Sequence, residues 1–155
     1  MQIRRAEYKD LTMVKNLLDQ VDLLHHNGRP DIFKIGRKYN DDQLIEIFAD
    51  DMRPVFVAVT PDDEAVGYCF CCIRESRNDN VIVDHKTLYI DDLCVDESCR
   101  GKGIGKHLYL YAVDHARNLG CHNVTLNVWE CNPDAEAFYR SLGMKPMKTC
   151  MEYIL

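Results

Sequence analysis

The run CRGKGIGKHLYL, Cys99 to Leu110, constrains this chain more than any other stretch. It places three glycines and two lysines directly before a segment with helical apolar spacing. Glycine loses the most backbone freedom on folding, so spending three of them at a helix start needs a reason. The first N–H groups of a helix have no partner inside it, and the helix dipole adds partial positive charge at that end, which suits it to an anion. Side chains would hold a phosphate away from those N–H groups, whereas glycines let it approach. Arg100, Lys102 and Lys106 add cations around the same spot. The run therefore predicts a phosphate cradle. Two nucleotide patterns fail against it: a P-loop or a G-x-G-x-x-G beginning at Gly101 needs glycine at the position of Lys106. On the run alone, a glycine-rich helix cap without ligand stays open.

The rest of the chain supplies a sheet and helices around that run. Gln2 to Ala6 reads as a strand, and Asp10 to Leu24 as a helix with an apolar stripe of Leu11, Val14, Leu17, Leu18, Val21 and Leu24. HHNGRPDIFKIGRKYN breaks the period with Gly28, Pro30 and Gly36 and reads as an ordered surface loop of the kind that contacts ligands. Asn40 with Gln43 forms a capping-box pattern for a second helix through Leu44, Ile45 and Phe48. PVFVAVT, a PDDE turn and AVGYCFCCIR predict a hairpin, Asn78 to Asp84 a connection, and KTLYIDDLCV a further strand. A helix then runs to about Leu119, with Ile104, Leu108, Tyr111, Ala112 and Leu119 on one side and Gly120 as its cap. CHNVTLNVW reads as a strand with Trp129 in the core, PDAEAFYRSLG as a short helix opened by proline and closed by glycine, and KTCMEYIL as a last strand. The fold class is α/β (α+β): a sheet covered by helices, with one strand–loop–helix–strand unit at its centre.

At 155 residues, with no linker or repeat, a single domain over 1–155 is expected. A net charge of −6 argues against nucleic acid as the partner and accords with a cationic small substrate. No stretch approaches the roughly 18 apolar residues of a membrane span, and MQIRRAEYKD has no signal core, so a cytoplasmic protein without membrane attachment is expected. The eight cysteines fall mostly in apolar strand-like segments, which predicts reduced, mostly buried thiols and no metal.

Arg100-Gly101-Lys102-Gly103-Ile104-Gly105 matches [RQ]-x-x-G-x-[GA], and its flanks extend the match. LYIDDLCVDESCRGKGIG resembles the central strand and pyrophosphate loop of the GNAT superfamily of acyl-CoA-dependent N-acyltransferases. LNVWECNPDAEAFYRSLGM is similar to that family's N-x-x-A-x-x-F-Y-x-x-x-G-[FM] element. Together the pieces run from Leu88 to Met144, and the strand is closest to diamine, polyamine and ribosomal-protein-type members. The resemblance implies a mixed, largely antiparallel sheet with a central splayed parallel strand pair, flanked by about four helices. It also implies acetyl-CoA as acyl donor, with its pyrophosphate on Arg100, Gly101, Lys102, Gly103, Ile104, Gly105 and Lys106. The pantetheine arm would lie along Leu93, Cys94 and Val95, where a splayed strand leaves amides that an amide-bearing ligand can satisfy.

By the same resemblance, the Leu93 N–H faces the thioester carbonyl, Tyr139 protonates the coenzyme sulfur, and Asn132 contacts the coenzyme arm and caps its helix. Taken alone, Tyr139 reads as helix packing and Asn132 as a plain cap. For the base, strand alternation puts Tyr89, Asp91 and Leu93 on one face and Ile90, Asp92 and Cys94 on the other, so one carboxylate faces the amine, with Asp91 preferred. Polyamine-type members carry glutamate then aspartate at this pair; the shorter Asp91 favours a bridging water. His25, His26, Asp31, Tyr39 and Asp91 are the candidate acceptor contacts. No histidine is evidently partnered with Cys94 or Cys131, so direct attack is expected over a cysteine relay. The implied activity is acetyl transfer to a primary amine of a small cationic molecule or a protein. The alternative is an acyl-CoA sensor of the same fold without turnover, and the retained tyrosine favours catalysis. KTCMEYIL is the candidate element for pairing into a homodimer.

Overall fold

The computed structural model describes residues 1–155. Strand β1 (Gln2–Arg5) leads through a 3-10 turn at Tyr8–Asp10 into helix α1 (Leu11–Gly28), one turn longer than its stripe predicts. His25 and His26 therefore sit in the last helical turn rather than in the loop, and the loop starts at Arg29. Asp10 is buried at the helix entry, where Arg4 donates two bonds to its carboxylate at 2.7 and 2.9 Å. Helix α2 (Asp41–Ala49) opens on the predicted capping box: Asn40 Oδ1 accepts from Gln43 N, and Gln43 Oε1 accepts from Asn40 N, each at 2.9 Å.

Strands β2 (Val55–Val59), β3 (Ala65–Ser76) and β4 (His85–Val95) follow, then helix α3 (Ile104–Asn118), strand β5 (Asn123–Leu126) and helix α4 (Pro133–Ser141). The sheet order is β1-β2-β3-β4-β5; all neighbours are antiparallel except β4 and β5, which run parallel. That parallel pairing covers only Thr87 to Ile90 against Asn123 to Leu126, so β4 continues to Val95 with no neighbour on that side. The splayed pair is thereby present. No helix is long and apolar enough to cross a membrane.

Helices cover both faces. Val14, Leu17 and Leu18 of α1 and Leu44 and Ile47 of α2 pack on Val55, Val57, Tyr68, Phe70 and Cys94. Ile104, Leu108, Tyr109, Ala112 and Ala116 of α3 pack on Phe56, Ala58, Cys69, Cys71, Ile73, Leu88 and Ile90. Each fully buried Leu or Ile here is worth about 1.5–3 kcal/mol of transfer free energy. The α3 stripe steps by four through 104, 108, 112 and 116, which leaves Tyr111 and Leu119, both expected on the buried side, 40% and 38% exposed.

Three further expectations give way. β5 stops at Leu126, and Trp129 is 38% exposed, lying edge-on to Phe33 at 5.1 Å instead of in the core. Residues 148–155 form no strand and are exposed throughout; Glu152 instead pairs with Arg29 at 2.6 Å, a tie that takes the tail across the α1 end. Of the cysteines, only Cys69, Cys71 and Cys94 are fully buried. Cys69 and Cys72 have C-x-x-C spacing, but on a strand three positions set side chains on opposite faces. No three His, Cys, Asp or Glu side chains lie close enough to share a metal ion.

Candidate active site

The splay between β4 and β5 is the candidate site, and backbone geometry defines its open edge. In an antiparallel ladder, pairs that exchange hydrogen bonds alternate with pairs that do not. Asp96 N donates to Val66 O at 2.9 Å, and Cys71 N donates to Pro54 O on the other side of β3. These two bonds fix the phase. Cys69–Leu93 and Gly67–Val95 are non-bonded pairs, so the N–H and C=O groups of Leu93 and Val95 point away from β3, toward the side where β5 has ended. Arg100 Nε donates to the Val95 carbonyl at 3.1 Å from that side.

The glycine run of Gly101 to Gly105 lies at the same end. Gly101 and Gly103 both take the left-handed conformation, at φ +76° and +77°, and Gly103 is the residue before α3. That conformation costs a residue with a Cβ about 1–2 kcal/mol. The N–H groups of Gly101, Lys102 and Gly103 donate to no backbone carbonyl, and the first ladder bond of α3 is His107 N to Gly103 O at 3.1 Å. The amides of Ile104, Gly105 and Lys106 precede it. A Cβ at Gly105 would stand 3.4 Å from Phe138 Cζ and 3.7 Å from Leu93 Cδ2, so this glycine brings α3, α4 and β4 together.

The carboxylates depart from simple alternation. The β3–β4 register shifts between Phe70 and Cys71: Phe70 faces Asp92 and Cys71 faces Ile90, which makes Asp91 the extra residue of a β-bulge. Ile90 stays on the α3 face while Cys94 lies on the α1 face. Asp91 and Asp92 consequently share the α1 side, in contrast to the one-carboxylate expectation. Asp91 Oδ2 accepts from Lys38 Nζ at 2.8 Å and from Tyr39 Oη at 2.9 Å. Asp92 Oδ2 accepts from Tyr68 Oη at 2.7 Å. Burial pushes the Asp92 carboxyl up to about 6, against the lowering effect of the Tyr68 bond and of Lys38. The bulge had a trace in the sequence. The residues packed on the α3 face run Leu88, Ile90, Leu93, Val95, with one step of three among steps of two.

Tyr39 stacks on Phe70 at 5.7 Å, and burial together with Asp91 raises its hydroxyl above the ordinary value. Burial pulls the Lys38 ammonium down, but the hydrogen bond and charge of Asp91 outweigh it and leave it raised. Across the splay, Tyr139 on α4 is held among Tyr109 and Phe138, its hydroxyl making no hydrogen bond within the protein. Burial, then the charges of Cys69 and Asp92, push its phenol well up. Asn132 Oδ1 accepts from Ala135 N at 3.2 Å, so it caps α4 as expected. Cys94 is driven up to about 12 by burial, which leaves its thiol an unreactive neutral group.

The remaining acceptor candidates divide. His25 stacks on Phe33 at 5.1 Å with its basicity lowered by burial, and the Asp22 and Lys38 charges act on it. His26 Nδ1 lies 2.7 Å from the Phe33 carbonyl and shapes the loop. Asp31 does not join the site: both its oxygens bind Arg29, at 2.9 and 2.7 Å. Nothing in the sequence singles out Lys38. A lysine in a polar loop carries no signal until the fold shows which carboxylate it meets.

A five-stranded mixed sheet with a bulged, splayed β4 and a glycine nest at the α3 start defines an acyl-CoA-type transferase fold. The family description "Acetyltransferase (GNAT) family" matches residues 21–144, and the chain belongs to that family. A solved structure of a tetramutant of the BH1408 protein from Bacillus halodurans superimposes with a TM-score of 0.95 at 31% identity, covering 100% of both chains. The chain is 35% identical over 105 residues to the peptidyl-lysine N-acetyltransferase YjaB of Salmonella typhimurium, across 66% of this chain and 59% of that protein. It is 36% identical over 55 residues to glucosamine 6-phosphate N-acetyltransferase 1 of Oryza sativa subsp. japonica, across 36% of this chain and 32% of that protein. The matches thus span from about a third to three-fifths of those relatives' length.

Proposed function

We propose that this protein moves an acetyl group from acetyl-CoA to a primary amine by direct attack, with no covalent enzyme intermediate. The observation that carries the reading is the pair of carboxylates that the β4 bulge turns to one side, next to a strand edge whose Leu93 and Val95 amides point into the splay. On this reading the diphosphate of the donor takes the N–H groups from Gly101 to Lys106, with Arg100, Lys102 and Lys106 as counter-charge. The Leu93 and Val95 amides take the pantetheine arm alongside Cys94, and the Leu93 N–H faces the developing oxyanion. One such donor is worth about 2.7–4 kcal/mol in other acyl transfers.

The acceptor enters as an ammonium against Asp91 and Tyr39, beside His25. Asp92 takes its proton, because a carboxyl near 6 is ionised at neutral pH yet basic enough to matter. Tyr139 stays protonated across the neutral range and gives its proton to the leaving sulfur. Names of relatives that act on peptidyl lysine and on an amino sugar support an amine acceptor, small or protein-borne. The same reading takes residues 1–155 as one cytoplasmic catalytic domain, with the exposed tail at 148–155 as a surface for pairing of two copies.

The test is release of free thiol from acetyl-CoA against a panel of diamines, amino sugars and lysine peptides. Turnover with one class supports the proposal. A melting-temperature rise with acetyl-CoA but no thiol release for any amine would instead identify a sensor of the same fold.

A further inference from the structure

The acceptor position already holds a primary ammonium, and it belongs to the chain. Lys38 Nζ lies 2.8 Å from Asp91 Oδ2, on the same oxygen that Tyr39 Oη reaches at 2.9 Å. This contact is held by more than one flexible side chain. Arg37 next to it makes a two-bond pair with Asp19 at 2.8 and 2.7 Å, the Lys38 N–H donates to Asp22 Oδ2 at 2.7 Å, and the Tyr39 ring stacks on Phe70. The loop from Arg29 to Asn40 is thus pinned to α1 on one side and to the sheet on the other. Its lysine is delivered to the carboxylate that the proposed reaction uses for an amine. The Lys38 side chain is still 39% exposed, so its ammonium is only partly enclosed.

We propose that Lys38 is itself an acetyl acceptor, modified within its own chain when acetyl-CoA is bound and no other amine occupies the site. This rests on the acetyltransferase reading above. The Lys38 nitrogen forms the N–C bond to the acetyl carbonyl carbon while the C–S bond of the thioester breaks. Of the two protons the nitrogen sheds, one passes to the Asp91–Asp92 carboxylates and on to solvent. The other restores Tyr139 after its hydroxyl protonates the leaving sulfur, so the products are acetyl-Lys38, coenzyme A and one proton. A tethered amine needs no encounter step, which favours it over dilute free amine. Acetylation removes the charge that holds Lys38 on Asp91 and leaves that carboxylate with Tyr39 as its partner.

The experiment incubates the purified full chain with acetyl-CoA and no added amine, and follows acetylation of each lysine by peptide mass spectrometry. Lys34, exposed on the same loop with no carboxylate partner, reports ordinary chemical acetylation. Lys38 is expected to react at least about tenfold faster than Lys34, at a per-molecule rate independent of protein concentration. Asp91→Asn should bring Lys38 down to the Lys34 rate while acetyl-CoA still raises the variant's melting temperature, which shows that it is folded. Lys38→Arg should lower thiol release in the absence of amine to the level set by chemical acetylation of residues such as Lys34. Equal rates at Lys38 and Lys34, in protein that releases thiol with an added amine, overturn this inference and leave the transferase intact. A rate that rises with protein concentration also overturns it, since transfer would then be between copies. No melting shift and no thiol release with any amine would remove both proposals.

Discussion

Replacing Asp92 with asparagine removes one partly buried charge while keeping an acceptor oxygen for the Tyr68 hydroxyl, now 2.7 Å from the carboxylate. Burial raises the Asp92 carboxyl from 3.8 to about 6. The folded protein therefore binds this proton more tightly than the unfolded chain. For a raised group, the stabilising effect is complete below the unfolded value and is lost as pH rises through the folded one. Roughly two pH units at 1.36 kcal/mol each give about 3 kcal/mol lost between about pH 4 and pH 7. Urea unfolding of wild type and Asp92→Asn across that range isolates this group, because every other carboxylate is common to both. The difference in stability should move in favour of the variant by about 3 kcal/mol toward neutral pH. Parallel profiles would refute the claim that Asp92 is a partly buried carboxylate with a raised proton affinity. In the same window, wild-type kcat/KM should carry an acid limb near pH 6, and the variant should lose about 10²–10⁴-fold in rate. A variant with the same limb and near-normal rate would move the base away from Asp92.

Tyr139→Phe should lower thiol release about 10²–10⁴-fold while the acetyl-CoA melting shift persists, read by steady-state assay beside thermal denaturation. Gly103→Ala meets no close atom, the nearest being His107 at 3.7 Å, but forces a side chain into φ +77°. It should cost about 1–2 kcal/mol in urea unfolding and weaken acetyl-CoA binding by calorimetry. Asp10→Ala removes two bonds to the Arg4 guanidinium and the acceptor of the Glu7 N–H, but leaves Arg4 paired with Asp63 at 2.8 Å, and should cost about 1–3 kcal/mol, seen as a lower urea midpoint at unchanged slope.

What the sequence shows and hides divides along physical lines. Local chemistry was legible: the Asn40–Gln43 box, the Asn132 cap with Pro133, and the glycines before α3 each act within a few residues, so the letters carry them. The bulge at Asp91 depends on how β4 registers against Phe70 and Cys71 of another strand, and strict alternation on one strand placed the two carboxylates apart. Only the uneven step from Ile90 to Leu93 betrayed it. The ends of elements were set by neighbours in the same way: β5 stops where the splay opens, and Trp129 meets Phe33 from the loop after α1 instead of the core. KTCMEYIL has strand composition but no strand beside it to bond. Lys38 and Asp91, 53 positions apart, could be joined only by the fold.

The central claim is that the free edge of β4 and the nest before α3 hold one acyl-CoA molecule. Amide chemical shifts of labelled protein titrated with acetyl-CoA test it most directly. The account predicts saturable shifts concentrated at Leu93, Val95 and Gly101 to Lys106, with Tyr139 and Asn132 moving at the same ligand concentration. Shifts that never saturate, or that saturate elsewhere while these amides stay still, would contradict it.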